Sequence, residues 1–270
     1  MWILLIPLVT RKMISSQTII ISFWTITRKE VVRFLRIWTQ TLLPSVITSV
    51  LYFLIFGQFI GDRIGAVEGV SYMEFIVPGL VMLAMITNAF SNVVSSFFGA
   101  KFMHNIEEIM VSPTPPWVMV AGFTIGGVLR GLMVGALVLI VSLFFTEIQI
   151  LHPLTIILFA VITCTLFSFG GMLNGLFARK FDDVAIVPTF VLTPLIYLGG
   201  IFYSIEFLPP FWREVSYLNP MVYLVNGFRY GFSGVSDVPV QTSLMIVFLV
   251  TIATGIFTVW VIRKGIGLKN

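Results

Sequence analysis

The sequence predicts an all-α integral membrane fold: six transmembrane helices, an amphipathic helix before them, and a re-entrant helical hairpin between spans five and six. Of 270 residues, 58% are hydrophobic and only 10% are charged, and the mean hydropathy is +1.03. Soluble domains are about 45–50% apolar and about 25% charged, so this apolar excess is too large for a soluble core. One cysteine and two histidines argue against a disulfide framework or a histidine-based metal centre.

Residues 1–21 are predicted to be an N-terminal extension, followed by a single membrane domain over residues 22–270. The opening segment MWILLIPLV is apolar over nine residues, and its basic pair follows it, whereas a signal peptide has the basic residues first. We therefore expect no cleaved leader. Met13 is an alternative start, which would make residues 1–12 dispensable.

Residues 22–38 are predicted to form an amphipathic helix in the plane of the membrane interface. On a helical projection, one face collects Trp24, Val31, Phe34, Leu35 and Trp38, and the opposite face collects Lys29, Arg33 and Arg36. The aromatic face is expected in the acyl boundary and the cations on anionic headgroups. The alternative is an extension of the first span, although Pro44 favours a break before the membrane.

Six stretches are long and apolar enough to cross a bilayer, which takes about 20 residues. They are residues 41–60, 73–100, 118–146, 151–177, 184–203 and 241–262. In the fifth stretch two prolines precede Gly199 and Gly200, so we expect that helix to be kinked. The third carries small residues at close spacing, which predict tight packing within the bundle or, alternatively, a dimer seam. They are Gly122, Gly126, Gly127, Gly131 and Gly135.

The basic residues set the predicted orientation, because Lys and Arg concentrate in short cytoplasmic loops. Twelve of the sixteen fall on one side, together with both termini: Arg11, Lys12, Arg28, Lys29, Arg33, Arg36, Lys101, Arg179, Lys180, Arg263, Lys264 and Lys269. Arg63, Arg213 and Arg229 fall on the other side, and Arg130 lies within the third span. The net charge of +4 is therefore attributed to orientation and lipid headgroups, and no nucleic acid partner is expected.

Residues 204–240 are too apolar for an ordinary outer loop. Pro209–Pro210 and Asn219–Pro220 divide this segment into pieces of about eight and about fourteen residues, each shorter than the ~17 needed to span. We expect two short helices that enter from the outer face and return, with their irregular backbone covered by protein. The alternative is a surface-lying hairpin anchored by an aromatic belt of Trp212, Tyr217, Tyr223 and Tyr230.

Motifs for catalysis are missing from the sequence. It has no G-x-x-x-x-G-K-[ST] phosphate loop, no H-E-x-x-H and no G-x-S-x-G. The chain is therefore predicted not to be an enzyme and to bind no cofactor or metal itself. His104 and Glu108 lie four residues apart, but two ligands do not make a catalytic metal site. A membrane-embedded lipid enzyme remains a third interpretation, weakened by the lack of a nucleophile–base pair.

Arg130 is the clearest ionisable residue inside a predicted span. A lone cation at mid-bilayer costs about 2.5–3.5 kcal/mol on insertion scales. Arg130 must therefore face protein or water, unless the third helix starts well inside the cytoplasm and the side chain snorkels. Asn88, Asn92 and Asn174 are expected to hold helices together or, alternatively, to line a substrate path. An ion-coupled secondary transporter or channel using Arg130 is the alternative function.

Four segments resemble ABC-2 type permeases, the membrane subunits of ATP-driven exporters that include polysaccharide and nodulation-factor exporters. They are YMEFIVPGL, SSFFGAKFMHNIEEIMVSPTPPW, ARKFDDVAIVPTFVLTPLIYLGGIFYSIEFLPPFW and LNPMVYLVNGFRYGF. Their order and spacing match the family from about residue 25 to the end, whereas residues 1–12 have no counterpart. The series P-L-x-Y-L-G-G-x-F-Y, L-P-P-F-W and L-N-P is quite specific.

The resemblance implies a homodimer in the bacterial inner membrane and two copies of a separate ATPase, which binds ATP and magnesium. It also implies a coupling helix within residues 101–112, seated in a groove of the ATPase. The sequence adds a physical reason: the rigid turn formed by Pro113, Pro115 and Pro116 would fix this helix against the third span. The alternative is a solvated loop whose charged residues do not bind a partner. The residues implied in coupling are Lys101, His104, Glu107, Glu108, Arg28, Lys29, Arg33, Asp182 and Asp183.

The resemblance further matches the outer hairpin, over residues 206–233, to external gate helices. This match places Phe211, Trp212, Tyr217, Tyr223 and Phe228 near the exit, where aromatic side chains suit sugar stacking or an amphipathic lipid. The expected function is export of an amphipathic or lipid-linked compound. ATPase closure would drive it by pushing the helix within residues 101–112, and the translocation path would include Arg130, Asn88 and Asn92.

Overall fold

The computed structural model describes residues 15–67 and 69–268 and shows a bundle of α-helices. In this part of the chain, five helical stretches are long and apolar enough to cross a membrane: Trp38–Gly57, Tyr72–Phe102, Pro116–Ser142, Pro153–Phe177 and Val240–Lys264. Each overlaps one of the six predicted spans. The predictions about a leader and about Met13 concern residues outside the described part.

The elements follow one another in an almost entirely helical order. They are α1 (Ser16–Arg36), α2 (Trp38–Thr41), α3 (Leu43–Tyr52), a π-helical stretch (Phe53–Ile60), α4 (Gly61–Ile64), β1 (Ala66–Val67), β2 (Val70–Ser71), α5 (Tyr72–Phe102), α6 (Asn105–Val111), α7 (Pro116–Ser142), α8 (Pro153–Phe177), α9 (Phe181–Val187), a second π-helical stretch (Pro188–Leu192), α10 (Thr193–Tyr197), a 3-10 turn (Ile205–Phe207), α11 (Pro210–Tyr217), α12 (Pro220–Ser233) and α13 (Val240–Lys264). The strands β1 and β2 form a small antiparallel ribbon.

Helix α5 lies at the centre of the bundle. It is 31 residues long and carries apolar residues on all sides, which is typical of a buried helix. Its neighbours α7 and α8 pack along it, and the main hydrophobic core forms around its residues 72–94. A second core, around Phe97 and Ile106, joins the end of α5 to α6, α7, α8 and α13.

Two ends of the bundle are named below by the short helices there. The α6 end is where α5 and α8 finish, α7 begins and α13 finishes. The α12 end is the opposite one, where α12 packs on the start of α8 and backbone amides of Leu151 and His152 donate to the carbonyl of Gly231. This arrangement places the two predicted functional regions, residues 101–112 and 206–233, at opposite ends.

The glycines of α7 serve packing within the bundle, as one of the two interpretations predicts. A side chain at Gly127 or Gly135 would collide with α5, and one at Gly127 or Gly131 would collide with α8. Gly131 also lies tightly against α5. Gly122 and Gly126 instead face α1, where they leave room for Ile26 and Glu30. The small residues therefore let three helices approach α7 closely on two sides.

Helix α1 differs from the prediction in its start and in its faces. It begins at Ser16, and the Ser15 hydroxyl accepts a hydrogen bond from the amide of Gln17. Trp24 is exposed as expected of a lipid-facing residue. The prediction that Phe34 also faces lipid is wrong, because Phe34 is fully buried. Helix α1 has a third face, formed by Ile26, Thr27, Glu30 and Phe34, which is buried inside the protein and packs on α7.

The predicted span 184–203 is shorter than expected. Its helical residues run from 181 to 197, through the π-helical stretch that begins at Pro188, and the chain then leaves the helix before Gly200. Gly200 has a φ of 76°, a left-handed conformation that favours glycine. Arg229 of α12 donates a 2.7 Å hydrogen bond to the Gly200 carbonyl and fixes this turn.

The segment 204–240 divides at the prolines, as the sequence predicts. Helix α11 has 8 residues and α12 has 14, and each begins at a proline. The Asn219 side chain accepts from the amide of Met221 at the start of α12 and donates to the Leu195 carbonyl within α10. These bonds tie the pair of short helices to the preceding helix.

Candidate functional site

A buried polar cluster joins α1 to α5. Its centre is Glu30, which is fully buried. One carboxylate oxygen accepts a 2.6 Å hydrogen bond from the Ser96 hydroxyl, and the other lies 3.2 Å from Arg33 Nη2. Arg33 also donates to the side-chain oxygen of Asn92 at 2.8 Å and to its carbonyl at 3.0 Å. A carboxylate at this depth is stable only because both of its oxygens are partnered.

The close approach of α7 explains why Glu30 can be so deeply buried. A side chain at Gly126 would collide with the Cβ of Glu30. Lys29 lies beside the cluster at the surface, with its Nζ 3.7 Å from Glu30 and 5.1 Å from the ring centre of Phe123. The cluster therefore holds three helices together. Helix α1 supplies the charged side chains, α5 supplies Asn92 and Ser96, and α7 makes room for Glu30 at Gly126.

Arg130 extends this cluster by one helical turn. Its Nη2 donates a 3.0 Å hydrogen bond to the Asn88 side-chain oxygen and lies 3.5 Å from the Thr41 carbonyl. The Asn88 amide nitrogen donates to Ser45 on α3. Arg130 thus faces protein, one of the two surroundings that the sequence argument requires. Asn88 and Asn92, one turn apart on α5, each accept a hydrogen bond from one arginine.

A groove beside Asn88 opens between α3 and α5. Its volume is about 250 Å³, and it is lined by Ser45, Thr48, Ser49, Thr87 and Asn88 among apolar residues. Asn88 therefore accepts a hydrogen bond from Arg130 and also lines this polar groove.

Helix α6 presents its charges outward. Glu107 and Glu108 are both exposed, and His104 Nδ1 lies 2.9 Å from Glu107 Oε1. His104 itself has a φ of 60°, the left-handed conformation that turns the chain from α5 into α6. On the inner side, Ile106 is buried in the second hydrophobic core and anchors the helix. The neighbour of the His104 ring is therefore Glu107, three residues on, and not Glu108.

Exposed apolar side chains surround these acids. Met103, Met110 and Val111 are all exposed, Val111 at 88%. A groove of about 480 Å³ separates α6 from the chain after α13, and it is lined by Lys101, His104, Glu107, Met110 and Leu268, among others. We call Met103, Glu107, Glu108, Met110 and Val111 the α6 surface. Exposed methionine and apolar groups beside a few charges are typical of protein interfaces.

Lys101 is turned inward. Its Nζ donates hydrogen bonds of 2.6 Å to the carbonyl of Leu176 and 2.8 Å to that of Ala178. It therefore satisfies carbonyl groups at the end of α8, where no further helical turn supplies donors. This contact ties the end of α5 to the end of α8 directly behind α6.

The turn between α8 and α9 is organised by Asp183. Its carboxylate accepts hydrogen bonds from the backbone amides of Arg179 at 2.9 Å and Lys180 at 3.0 Å. These two amides lower the pKa of Asp183 from its usual range, because they stabilise the charged form. Asp182, by contrast, is exposed, and Asn174 Nδ2 donates to the Val184 carbonyl and holds α9 against α8.

The five predicted gate aromatics occupy three different environments at the α12 end. Phe211 and Trp212 are exposed on α11, at 68% and 51%, and their rings contact edge to face. Tyr223 of α12 donates a 2.7 Å hydrogen bond to the carbonyl of Tyr217, so this pair joins the two helices. Phe228 is buried in the main core. Only the first two are free to meet a ligand in this conformation.

The residues that the structure describes form no evident catalytic centre. Among them, no three His, Cys, Asp or Glu side chains come together as a metal site. Cys164 is buried within the apolar core, against Gly131. The polar groups that are brought together make helix contacts and exposed surfaces.

Sequence reasoning missed Glu30 and the inward direction of Lys101. Glu30 stands between the basic residues of α1, so the sequence alone suggests a surface ion pair with Arg33 three residues on. Its burial depends on Ser96, Asn92 and Gly126, which are 62 or more positions away in the chain. The available signal was an acid on an otherwise basic helix, at the same face as Ile26.

The ABC-2 type transporter family model matches residues 21–233. The chain is 55% identical over 242 residues to the inner membrane transport permease YadH of Escherichia coli strain K12, covering 90% of this chain and 94% of the relative. It is 22% identical over 223 residues to nodulation protein J of Rhizobium leguminosarum bv. viciae, covering 79% of this chain and 85% of the relative. The match contains the buried polar cluster and the α6 surface.

Proposed function

The chain belongs to the ABC-2 type transporter family, and we propose that it is the permease subunit of an exporter driven by a separate ATPase. As a family member it is a multi-pass transport component of the cytoplasmic membrane. The observation that carries the proposal is the α6 surface: two exposed acids and exposed apolar side chains on a short helix between two spans. Such a surface suits docking of a partner with basic side chains.

The ATPase is proposed to be another chain because this sequence has no phosphate loop. Movement of α6 would reach the bundle through rigid connections. Ile106 holds α6 in the second core, Lys101 joins α5 to the end of α8, and Pro115 and Pro116 start α7 directly after α6. A push on α6 would therefore shift α5, α7 and α8 together.

We further propose a topology with six spans. The fifth would lie within the helical stretch from 181 to 197, with the exposed Asp182 and Asp183 at its aqueous end. The 17 residues of this stretch reach about 25 Å at ~1.5 Å per residue. Helices α11 and α12 would then form the re-entrant hairpin on the outer side, because both are too short to span. Both termini would be cytoplasmic, since the basic residues concentrate at the α6 end.

The conduit is proposed to form between two copies of the chain, with an amphipathic or lipid-linked compound as substrate. The polar groove beside Asn88 is a candidate for its wall, and the exposed Phe211 and Trp212 for the exit. The alternative, an ion-coupled transporter using Arg130, receives less support, because Arg130 is held by Asn88 and lies against the Thr41 carbonyl.

The test is co-purification of the full-length tagged chain from its native membrane in mild detergent, with and without crosslinking. The wild type should bring down an ATPase, and a Glu107→Lys/Glu108→Lys variant should lose it. Glu214→Lys, which reverses an exposed acid at the α12 end, is the matched control and should retain the ATPase. If no ATPase accompanies the wild type even after crosslinking, the proposal fails. If the ATPase stays with the double variant, the α6 contact is wrong.

A further inference from the structure

An apolar groove runs between α7, α8 and α13, away from both clusters described above. Its volume is about 700 Å³. Its walls include Thr124 and Val128 on α7, Val161 and Phe169 on α8, and Gly255 on α13. Gly255 leaves room for the Phe169 ring, which a side chain at that position would meet. The groove is therefore shaped by close packing on one side and open on the other.

The polar end of this groove lies at the α6 end of the bundle. There it is lined by Trp117, Trp260 and Arg263, all of which are exposed. No salt bridge joins Arg263 to any residue that the structure describes. Tryptophans favour the level of lipid headgroups, and arginine binds phosphate through two parallel hydrogen bonds. One cation and two interfacial aromatics thus mark the entrance.

The length of the groove matches one leaflet of a bilayer. Its lining on α7 extends from Trp117 to Val128, eleven residues, which is about 16 Å at the helical rise. Half of the hydrocarbon core of a bilayer is ~15 Å. An acyl chain anchored by its headgroup at Arg263 would therefore end near Val128.

A polar group in the wall is left without a partner. Thr124 lines the groove and is buried, and its hydroxyl makes no hydrogen bond to the described part of the chain. In transmembrane helices a threonine hydroxyl commonly bonds to the carbonyl four residues earlier, as Thr251 and Thr258 do on α13. The oxygen itself is closed off from solvent, so this hydroxyl is not offered to a ligand in the groove.

We propose that this groove binds an anionic phospholipid from the leaflet at the α6 end, with its phosphate on Arg263 and one acyl chain between α7, α8 and α13. The charge of Arg263, the two tryptophans and the one-leaflet length together select a lipid over a soluble anion or a protein helix. The proposal depends on the membrane environment of the bundle and is independent of the ATPase and of the transported substrate.

The probe is phosphatidylglycerol with brominated acyl chains, added to the purified full-length protein in phosphatidylcholine nanodiscs. Bromine quenches nearby tryptophans, and the difference from a Trp117→Phe/Trp260→Phe variant isolates the signal from the groove. Brominated phosphatidylglycerol should be preferred about fivefold over brominated phosphatidylcholine, the effect of one basic residue near an anionic lipid.

Two pairs of variants test the two halves of the site. Arg263→Gln should abolish the preference, whereas Lys264→Gln, which removes the neighbouring cation outside the groove, should keep it. Val161→Phe should fill the groove and reduce quenching of Trp117 and Trp260, whereas Ile157→Phe, one turn away on α8 and outside the groove, should not.

Three results would overturn the proposal. Equal quenching by the two lipids, unchanged by Arg263→Gln, would make the groove an ordinary lipid-facing surface. Displacement of the lipid by excess glycerol phosphate would make it a site for a soluble anion. Quenching that is lost when a second copy of the chain associates at Val161, detected by crosslinking, would make it a protein interface.

Discussion

Helices α1 and α6 both carry acidic residues next to the membrane spans, yet they use them in opposite ways. Glu30 of α1 is fully buried, and its oxygens are bonded to Ser96 and Arg33. Glu107 and Glu108 of α6 are both exposed. Glu107 lies beside the imidazole of His104, whose Nδ1 is 2.9 Å from Glu107 Oε1. The buried acid of α1 therefore stabilises the bundle, whereas the acids of α6 stay accessible to solvent or to another molecule.

The two helices also differ in what makes them stable. Helix α1 has 21 residues and packs along α7 over several turns. Helix α6 has only 7 residues, too few to be stable alone, so it depends on Ile106 and on its short connections to α5 and α7. If an ATPase docks on α6 as proposed, these short connections would carry its movement to α5 and α7.

The largest effect is expected at Glu30. Glu30→Ala leaves Arg33 half-buried without its carboxylate, and breaking a buried pair in this way costs about 3–5 kcal/mol. The free energy of unfolding in mixed micelles, titrated with denaturing detergent, measures it. Glu214→Ala, at an exposed acid of α11, should change it by less than ~0.5 kcal/mol. Equal stability of the two variants would show that α1 is not held through its acid.

Charge reversal on α6 should affect activity and leave stability unchanged. When the chain is co-expressed with its ATPase, Glu107→Lys/Glu108→Lys should lower ATP-driven transport at least ~tenfold, because like charges would face the partner and weaken docking. Unfolding of the isolated chain should match the wild type, since both side chains are exposed. Transport at the wild-type rate would show that these acids do not take part in coupling. The proposed functional difference between them and Glu30 would then be wrong.

The exposed aromatics of α11 allow the comparison to be extended to the α12 end. Phe211→Ala/Trp212→Ala should change transport or the basal ATPase rate of the complex by a few-fold, and stability by less than ~0.5 kcal/mol. Phe228→Ala, in the core, should instead destabilise by about 3–5 kcal/mol. If the double variant alters stability alone, these residues belong to a membrane-interface belt.

The smallest effect concerns pH at the α8–α9 turn. Asp183 has a pKa that is lowered by the amides of Arg179 and Lys180. Its stabilising contribution is therefore fully present above the ordinary aspartate pKa and is lost as the pH falls through the lowered value. Hydrogen exchange at Arg179 and Lys180 should accelerate relative to the intrinsic rate over that acidic window. Asp183→Asn should remove this dependence, and an unchanged profile would contradict the cap.

Much of the fold was predictable because local rules govern it. Apolar run lengths located five spans, and Pro210 and Pro220 located the starts of α11 and α12. The glycine spacing of α7 indicated packing within the bundle. The predicted span 184–203 was too long, because the turn at Gly200 depends on a hydrogen bond from Arg229, far along the chain.

The candidate site was less predictable, because it depends on contacts between distant segments. The exposed acids of α6 follow from local sequence, and the structure leaves them exposed. Lys101 was expected to face a partner with them, but its amine reaches the carbonyls of Leu176 and Ala178. Arg33 bonds to Asn92, and Ser96 bonds to Glu30. These positions lie far apart in the chain, and a single sequence does not indicate which distant residues meet. Their roles in coupling and transport remain predictions.

The most direct test of the central claim is the accessibility of Glu108 with and without the ATPase. The only cysteine, Cys164, is buried, so Glu108→Cys in a Cys164→Ala background gives one reactive position. A maleimide should label it rapidly in the isolated chain and at least ~tenfold more slowly once the ATPase is bound, since interface cores exclude water. Glu214→Cys, at the α12 end, should label at one rate in both states. Equal labelling of Glu108→Cys with the ATPase bound would contradict the account.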